Sequence, residues 1–462
     1  MSDHVAGKTT IYLDGVVVET SGACPGVTLP YFFSIGKNVS NFPDVPSFFP
    51  GSIDEVATFD HALSASEVQG LYLAATPAIF FSSQPQSHTL YAGRTASFTA
   101  VAAVADGTGT ISYRWRKNGS NLSDGGKFSG TTTPSLVINN LTTAEAGTYD
   151  VVATVGVNSV TSQAATLGVV LAPVAGSYAA KVVSYNPMGY WRFSDGGGTN
   201  AYDYIAGNDA VDPLGQPLQA GPQPPTYPDF DGLNTASLLD GLNQGYTSTS
   251  QMFNGLSNFT LMGWFKIDPS QYPFTNNPAG RASLFGQLWT AELGFYGGTN
   301  MYFYSQGIDA VNFVTSGFAP GIWHFAAVVS DHVAGKTTIY LDGVVVETSG
   351  ACPGVTLPYF FGIGNKVSNF ADIPSFFPGS IDEVAAFDHA LSASDVQSLY
   401  KVAAPLVLKI EWSGVNQLKL TWPQGTLLQA DTITGSWTTN SASSPYMFAP
   451  SAAKRFYRVK VQ

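Results

Sequence analysis

Apolar and polar residues alternate with a period of two along most of this chain, in short runs broken by Gly, Asn, Asp, Ser and Pro. That is the pattern of strands with one buried face. Thr9-Thr10-Ile11-Tyr12-Leu13-Asp14-Gly15-Val16-Val17-Val18 reads as a β-hairpin, because Asp-Gly between β-rich runs suits a type I′ turn. Lys336 to Val346 repeats it around Asp342-Gly343. Gly51 to Ala57 alternates well enough to predict a strand. Ser64-Ala65-Ser66-Glu67 predicts a capping box opening a short helix that ends near Tyr72. Ser392 and Asp395 hold those places further on, with a shorter acid and so a weaker reach.

These likenesses are one repeat. Residues 2–72 recur almost letter for letter as residues 330–400. The differences are mild: Ser34 against Gly362, Thr58 against Ala386, Glu67 against Asp395, Gly70 against Ser398. So little drift implies a recent duplication or an artefact of sequence assembly. Strand-rich sequence precedes the second copy, whereas Met1 alone precedes the first. Residues 1–73 therefore read as the second half of a domain, with an exposed apolar face and a loose hold on the rest.

After a linker at 74–78 the pattern changes. Gly93 to Val101 predicts a strand, Tyr113 to Gly119 a strand running into a turn, and Leu136 to Ile138 and Ala146 to Val152 two more. Residues 78–171 resemble an immunoglobulin-like domain of the I-set kind. Trp115 matches its buried tryptophan and Tyr149 its tyrosine corner. Ala100 and Val151 stand where that family's disulfide cysteines would be, which implies a sandwich held by packing alone.

Residues 173–402 carry Tyr190-Trp191-Arg192-Phe193, then Asn258 to Lys266, Gly321 to Val329, the repeated hairpin, Gly379 to Phe387 and the capped helix. In that order they resemble the laminin-G-like members of the concanavalin-A-like lectin and glucanase superfamily. The resemblance implies a two-sheet jelly roll with 258–266 and 321–329 as interior strands, and says little about function. Residues 403–462 form a small β unit that resembles the C-terminal domain of large exported proteins of Verrucomicrobia-like bacteria. The fold class is all-β: a jelly-roll sandwich, an immunoglobulin-like sandwich and a small C-terminal β domain.

Composition narrows the function. Only 11% of residues are charged and the net charge is -12. An acidic surface repels phosphate backbones, so nucleic acid is not an expected partner. No run of roughly 18 apolar residues suggests a membrane span. No apolar signal segment follows Met1, so an export signal for an extracellular or surface protein would lie outside this chain. Cys24 and Cys352, one in each copy, read as small buried side chains rather than a disulfide.

Candidate chemistry is sparse. Glycosidases need two carboxylates on a shared face. Asp382 and Glu383 are adjacent, so strict alternation sends them to opposite faces; the expectation is one solvated acid and one ordering a loop or metal, and no enzyme. No Cys/His cluster has zinc spacing, and His324 reads as a packed or hydrogen-bonded strand residue. The resemblance makes calcium the credible ion, with Asp195 and Asp382 as candidate ligands and Asp203 behind them. Trp289, Tyr296, Tyr302 and Tyr304 lie in neighbouring strands. Tyr302 and Tyr304 share a face on which a sugar could stack, although most such rings serve the core. Phe376 and Phe377, adjacent between prolines, cannot both point inward, so one is a candidate contact. The expected function is non-catalytic binding or adhesion, with a carbohydrate or an extracellular protein as ligand. The rivals are an accessory region of a larger exported glycan-active enzyme and a structural spacer of a surface protein.

Overall fold

The computed structural model describes residues 2–3, 5–13, 15–22, 35, 51–75, 79–105, 107–156, 158–194, 198–274, 280–297, 299–306, 311–314, 319–365, 375–405, 407–422, 425–450 and 454–460. The largest unit is a sandwich of two 8-stranded sheets. The first runs Leu218–Ala220, Thr235–Asp240, Pro378–Phe387, Phe259–Ile267, His324–Asp331, Lys336–Leu341, Val344–Gly350, with Gly189–Trp191 also on Pro378–Phe387. The second runs Gly198–Ala201, Ala210–Gln216, Tyr246–Ser248, Phe361–Ile363, Ala282–Gln287, Ala291–Tyr296, Asn300–Tyr304, Val311–Val314.

Phe259–Ile267 and His324–Asp331 are interior, as the segment order predicts. Period two puts Phe259, Leu261, Phe265 and Ile267 into the core between the sheets, against Phe285, Phe295 and Phe361. Met262 and Trp264 point the other way, into a second core under the helices Tyr178–Ser184 and Ala393–Ala403. Pro378–Phe387 is the last strand of the unit in sequence but not an edge of the sheet. It lies inside it, paired on both sides and buried along its whole length.

The hairpin turn is as predicted. Asp342 and Gly343 both have positive φ, at 50° and 73°, and a Cβ on Gly343 would sit 2.6 Å from the Tyr400 ring. A glycine there satisfies both the turn and the docking of the helix onto it. Both capping boxes form. The Ser64 N–H meets Glu67 at 2.7 Å and the Ser392 N–H meets Asp395 at 3.1 Å, the longer reach falling to the shorter acid.

Residues 79–170 make the smaller sandwich, packed around Trp115, Phe98, Leu136, Tyr149 and Val151. The Tyr149 hydroxyl donates to the Glu145 carbonyl at 2.6 Å, and Ala100 and Val151 are both fully buried. A strand predicted over 93–101 is split into Ala96–Thr99 and Val101–Val104, which pair in different sheets. The C-terminal unit has two 3-stranded sheets around Leu420, Trp422 and Leu427. Cys352 is free and buried; Cys24 lies outside the described residues.

The first copy of the repeat keeps the hairpin, Lys8–Leu13 with Val16–Gly22, and the helix Ala65–Ala75. The strand predicted over 51–57 is absent: these residues are unpaired and exposed. Strand character needs a neighbouring ladder, and here nothing among the described residues supplies one.

Candidate functional site

Two places gather polar and aromatic side chains. The first is the acid pair. Pairing of Phe259–Ile267 with Pro378–Phe387 steps from Met262 opposite Ala385 to Trp264 opposite Asp382, one residue longer on the acidic strand. Glu383 takes φ 51° at that bulge. Ile381 and Val384 consequently both enter the intersheet core, and the two acids between them both leave it. The opposite-face expectation is therefore wrong, because it assumed an unbroken alternation.

Neither acid is solvated; both are fully buried. Asp382 accepts from Asn234 Nδ2 at 2.6 Å and from the Glu383 N–H at 2.8 Å. Glu383 accepts from the Tyr190 hydroxyl and from Arg192 Nε, the latter at 3.2 Å. Burial pushes its carboxyl well above the usual range. Arg192 also reaches Asp231 at 2.7 Å and the Tyr91 hydroxyl at 3.3 Å. Tyr91 belongs to the smaller sandwich. Its ring stacks on Tyr204 at 5.0 Å and its N–H donates to the Tyr204 carbonyl. With His88 and Asp209 3.3 Å apart, these contacts lock the two sandwiches together. The acid pair thus serves an interdomain clamp and is closed to a substrate.

Asp382 and Asp203 do not fit a calcium ion. Each Asp382 oxygen already accepts an N–H. Asp203, buried, accepts from the N–H groups of Tyr190, Ile205, Ala206 and Asn208 and from the Asn208 amide. A hard cation needs oxygen donors where these groups point hydrogens. Burial raises the Asp203 carboxyl to about 7. Among the described residues no three His, Cys, Asp or Glu converge on one point. Asp195 lies outside them.

The aromatic candidates are redistributed. Tyr302 is buried, its hydroxyl on Glu292, so its ring is no stacking platform. Tyr304, on the same face, is half-buried. Phe377 is wholly inside the core against Phe265 and Phe274, and Phe376 is half-buried. Of two adjacent rings one does point inward, which withdraws Phe377 from the contact candidates.

The second place was not foreseen. A cleft of about 420 Å³ opens where the jelly roll meets the C-terminal unit, walled by Tyr227, Trp323, Tyr400 and Trp422, with His324, Asp342 and Lys409 as its polar groups. The turn aspartate that shapes the hairpin also fixes the histidine. Asp342 Oδ2 lies 2.8 Å from His324 Nδ1, and Oδ1 accepts the Phe325 N–H at 3.0 Å. His324 Nε2 lies 3.1 Å from the Ala319 carbonyl. Lys266 sits over the Trp323 ring at 5.1 Å. Burial raises the Tyr227 and Tyr400 hydroxyls. Sequence singled out His324 and the Asp-Gly turn separately, but their convergence with Trp422, some hundred residues away in the chain, requires the packing of two units.

Comparison with known proteins bears on the modules. A family of the concanavalin A-like lectin/glucanases superfamily matches residues 1–69 and 240–397, taking in both copies of the repeat. The immunoglobulin I-set domain matches residues 79–169. Among solved structures, the tandem Ig repeats of Dlar share 25% identity over 21% of this chain, at a TM-score of 0.19. The match spans about half of that protein, 51%. Titin M4 shares 26% over 20% of this chain and 97% of its own, at 0.18. No curated protein matches the chain.

Proposed function

Because this chain carries a concanavalin-A-like lectin/glucanase domain and an immunoglobulin I-set domain, both binding and adhesion types of module, we propose that it binds a neutral carbohydrate outside the cell. The observation that carries the reading is the aromatic cleft. Its volume falls in the usual range for a small-ligand site. Four rings offer apolar walls to the C–H faces of a sugar. Asp342, held in place by His324, and the exposed Lys409 offer hydrogen-bonding groups for hydroxyls. The net charge of -12 favours a neutral glycan over a polyanion. Nothing in this reading requires chemistry on the ligand.

The test is a glycan array on the full chain, followed by calorimetric titration of the best ligand. Asp342→Asn keeps a residue that tolerates positive φ, and Lys409→Ala changes an exposed side chain. Each should weaken binding by about tenfold, the scale of one charged hydrogen bond. A glycan bound equally well by both variants would place the site elsewhere; an array with no hits would end the carbohydrate reading.

A further inference from the structure

A second cleft, of about 600 Å³, lies on the seam between the two sandwiches and shares no lining residue with the aromatic one. Gln86, Ser87 and His88 wall it from the smaller unit. The jelly roll supplies Asn208 and Asp209 and the end of the strand Tyr246–Ser248. Hydrogen bonds fix the shape of the jelly-roll wall. The Asp203 carboxylate accepts the N–H groups of Ile205, Ala206 and Asn208, and Asp209 Oδ1 accepts the Asp203 N–H at 2.7 Å. Gly207 has φ 75°, and a Cβ there would lie 2.8 Å from His88 Nδ1. The turn thus seats against the histidine because it carries a glycine at that place.

The wall presents hydroxyl groups in a particular state. Ser87 Oγ accepts the Thr166 N–H at 2.8 Å, Ser248 Oγ the Ser250 N–H at 3.1 Å, and Thr247 Oγ1 an Asn365 amide hydrogen at 3.2 Å. Each oxygen is therefore anchored, and among the described residues none accepts the hydroxyl hydrogen in return. Asn208 is the complement: its Nδ2 donates to Asp203 at 3.0 Å, which leaves Oδ1 to accept. Among the described residues no Lys or Arg lines the cleft, so an anion finds no counter-charge. Asp209, the acid in the wall, holds the Asp203 N–H on one oxygen and faces His88 Nδ1 at 3.3 Å with the other, so a metal ion finds no open carboxylate. Tyr202, half-buried, offers a ring.

We propose that this seam cleft is a second ligand site, independent of the aromatic cleft, and that it takes a neutral disaccharide whose oxygens accept the anchored hydroxyls. The volume is that of a small-ligand site. Such a sugar is rich in acceptors, carries no charge and can lay one ring on Tyr202, which is what the wall provides for. Its walls come from both sandwiches, and His88 and Asp209, which hold them together, are among its residues. A bound sugar adds hydrogen bonds across the same seam. It fits the docked arrangement alone, so it stabilises that arrangement by linkage.

The probes are cellobiose, maltose, lactose and N,N′-diacetylchitobiose, titrated by calorimetry onto the full chain carrying Asp342→Asn and Lys409→Ala, which impair the aromatic cleft. At least one should bind saturably. Thr247→Val keeps the shape and removes one donor, and should weaken that binding by about three- to tenfold, the scale of one neutral hydrogen bond. Thr249→Trp, at an exposed position on the rim, should fill the cleft and abolish binding while leaving the melting curve of the free chain in place. Hydrogen exchange with the sugar bound should show new protection on both sides of the seam, in residues 86–91 and 203–211. Binding by none of the four, or binding indifferent to Thr247→Val and Thr249→Trp, would overturn the proposal. So would protection on one side of the seam alone. A disaccharide that binds the unaltered chain but not the one with Asp342→Asn and Lys409→Ala belongs to the aromatic cleft and would also count against it. Failure of the aromatic cleft to bind a glycan leaves these outcomes unchanged, so the two readings fall separately.

Discussion

The repeat offers an internally controlled measure of burial: the same side chain, in the same local sequence, removed once from each copy. Phe387 is fully buried among Trp264, Leu399 and Ala385; Phe59 is 50% exposed, with the edge of His61 at 6.0 Å. A phenylalanine buries about 150–250 Å², and removing one from a core costs about 3–5 kcal/mol once the cavity is included. Phe387→Ala should therefore lower the jelly-roll melting temperature by about 6–20 °C, at about 2–4 °C per kcal/mol for a domain of this size. Phe59→Ala should cost about 1 kcal/mol or less and leave that transition in place. Scanning calorimetry of the full chain reads both. Equal shifts, or a loss below about 1 kcal/mol at Phe387, would refute the assignment of the filled environment to the second copy.

Trp115→Ala should cost about 3–5 kcal/mol in denaturant melts followed through the immunoglobulin-like unit, since Trp115 is fully buried at its centre. Arg192→Ala leaves Glu383 buried without its cation and should cost about 3–5 kcal/mol. A carboxyl whose folded-state pKa is raised favours the fold most below its ordinary 4.5 and loses that contribution as pH rises, so the loss on removing Arg192 should deepen as pH climbs above 4.5; a flat profile would mean that Glu383 does not depend on Arg192. Burial pushes the Glu145 carboxyl up, but Lys127 and Thr142 hold it down to about 2 from the ordinary 4.5. Its contribution is complete above about pH 4.5 and is lost as pH falls towards 2. Lys127→Met should flatten the acid limb of the melting curve of that unit.

Much of the architecture is local and so was legible. The Asp-Gly turn, the capping boxes and the Trp115 and Tyr149 pair each depend on a few neighbouring residues. Strand alternation gave Phe259–Ile267 its two faces correctly. It failed at Asp382 and Glu383, where one extra residue in the ladder reverses the parity, and a bulge has no fixed sequence signature. It failed again at 51–57, whose letters form a strand in the other copy; the missing ingredient is a neighbour, which no local pattern encodes. The cleft joins Tyr227, Trp323, Tyr400 and Trp422 across a domain boundary, a convergence that no local pattern encodes.

The clamp around Tyr91 has a mechanical consequence. His88–Tyr91, the strand after the entering Ile79–Ser83, runs parallel to Ala165–Val170, by which the chain leaves the immunoglobulin-like unit. Tension on the two ends pulls these strands past one another, so their hydrogen bonds bear load together rather than opening in turn. The same four residues carry His88 and Tyr91, which grip Asp209, Arg192 and Tyr204 of the jelly roll. Force that reaches His88–Tyr91 thus has a route into the larger sandwich that bypasses most of the smaller one. Arg192, tied at once to Tyr91, Asp231 and Glu383, is the bolt through which it passes.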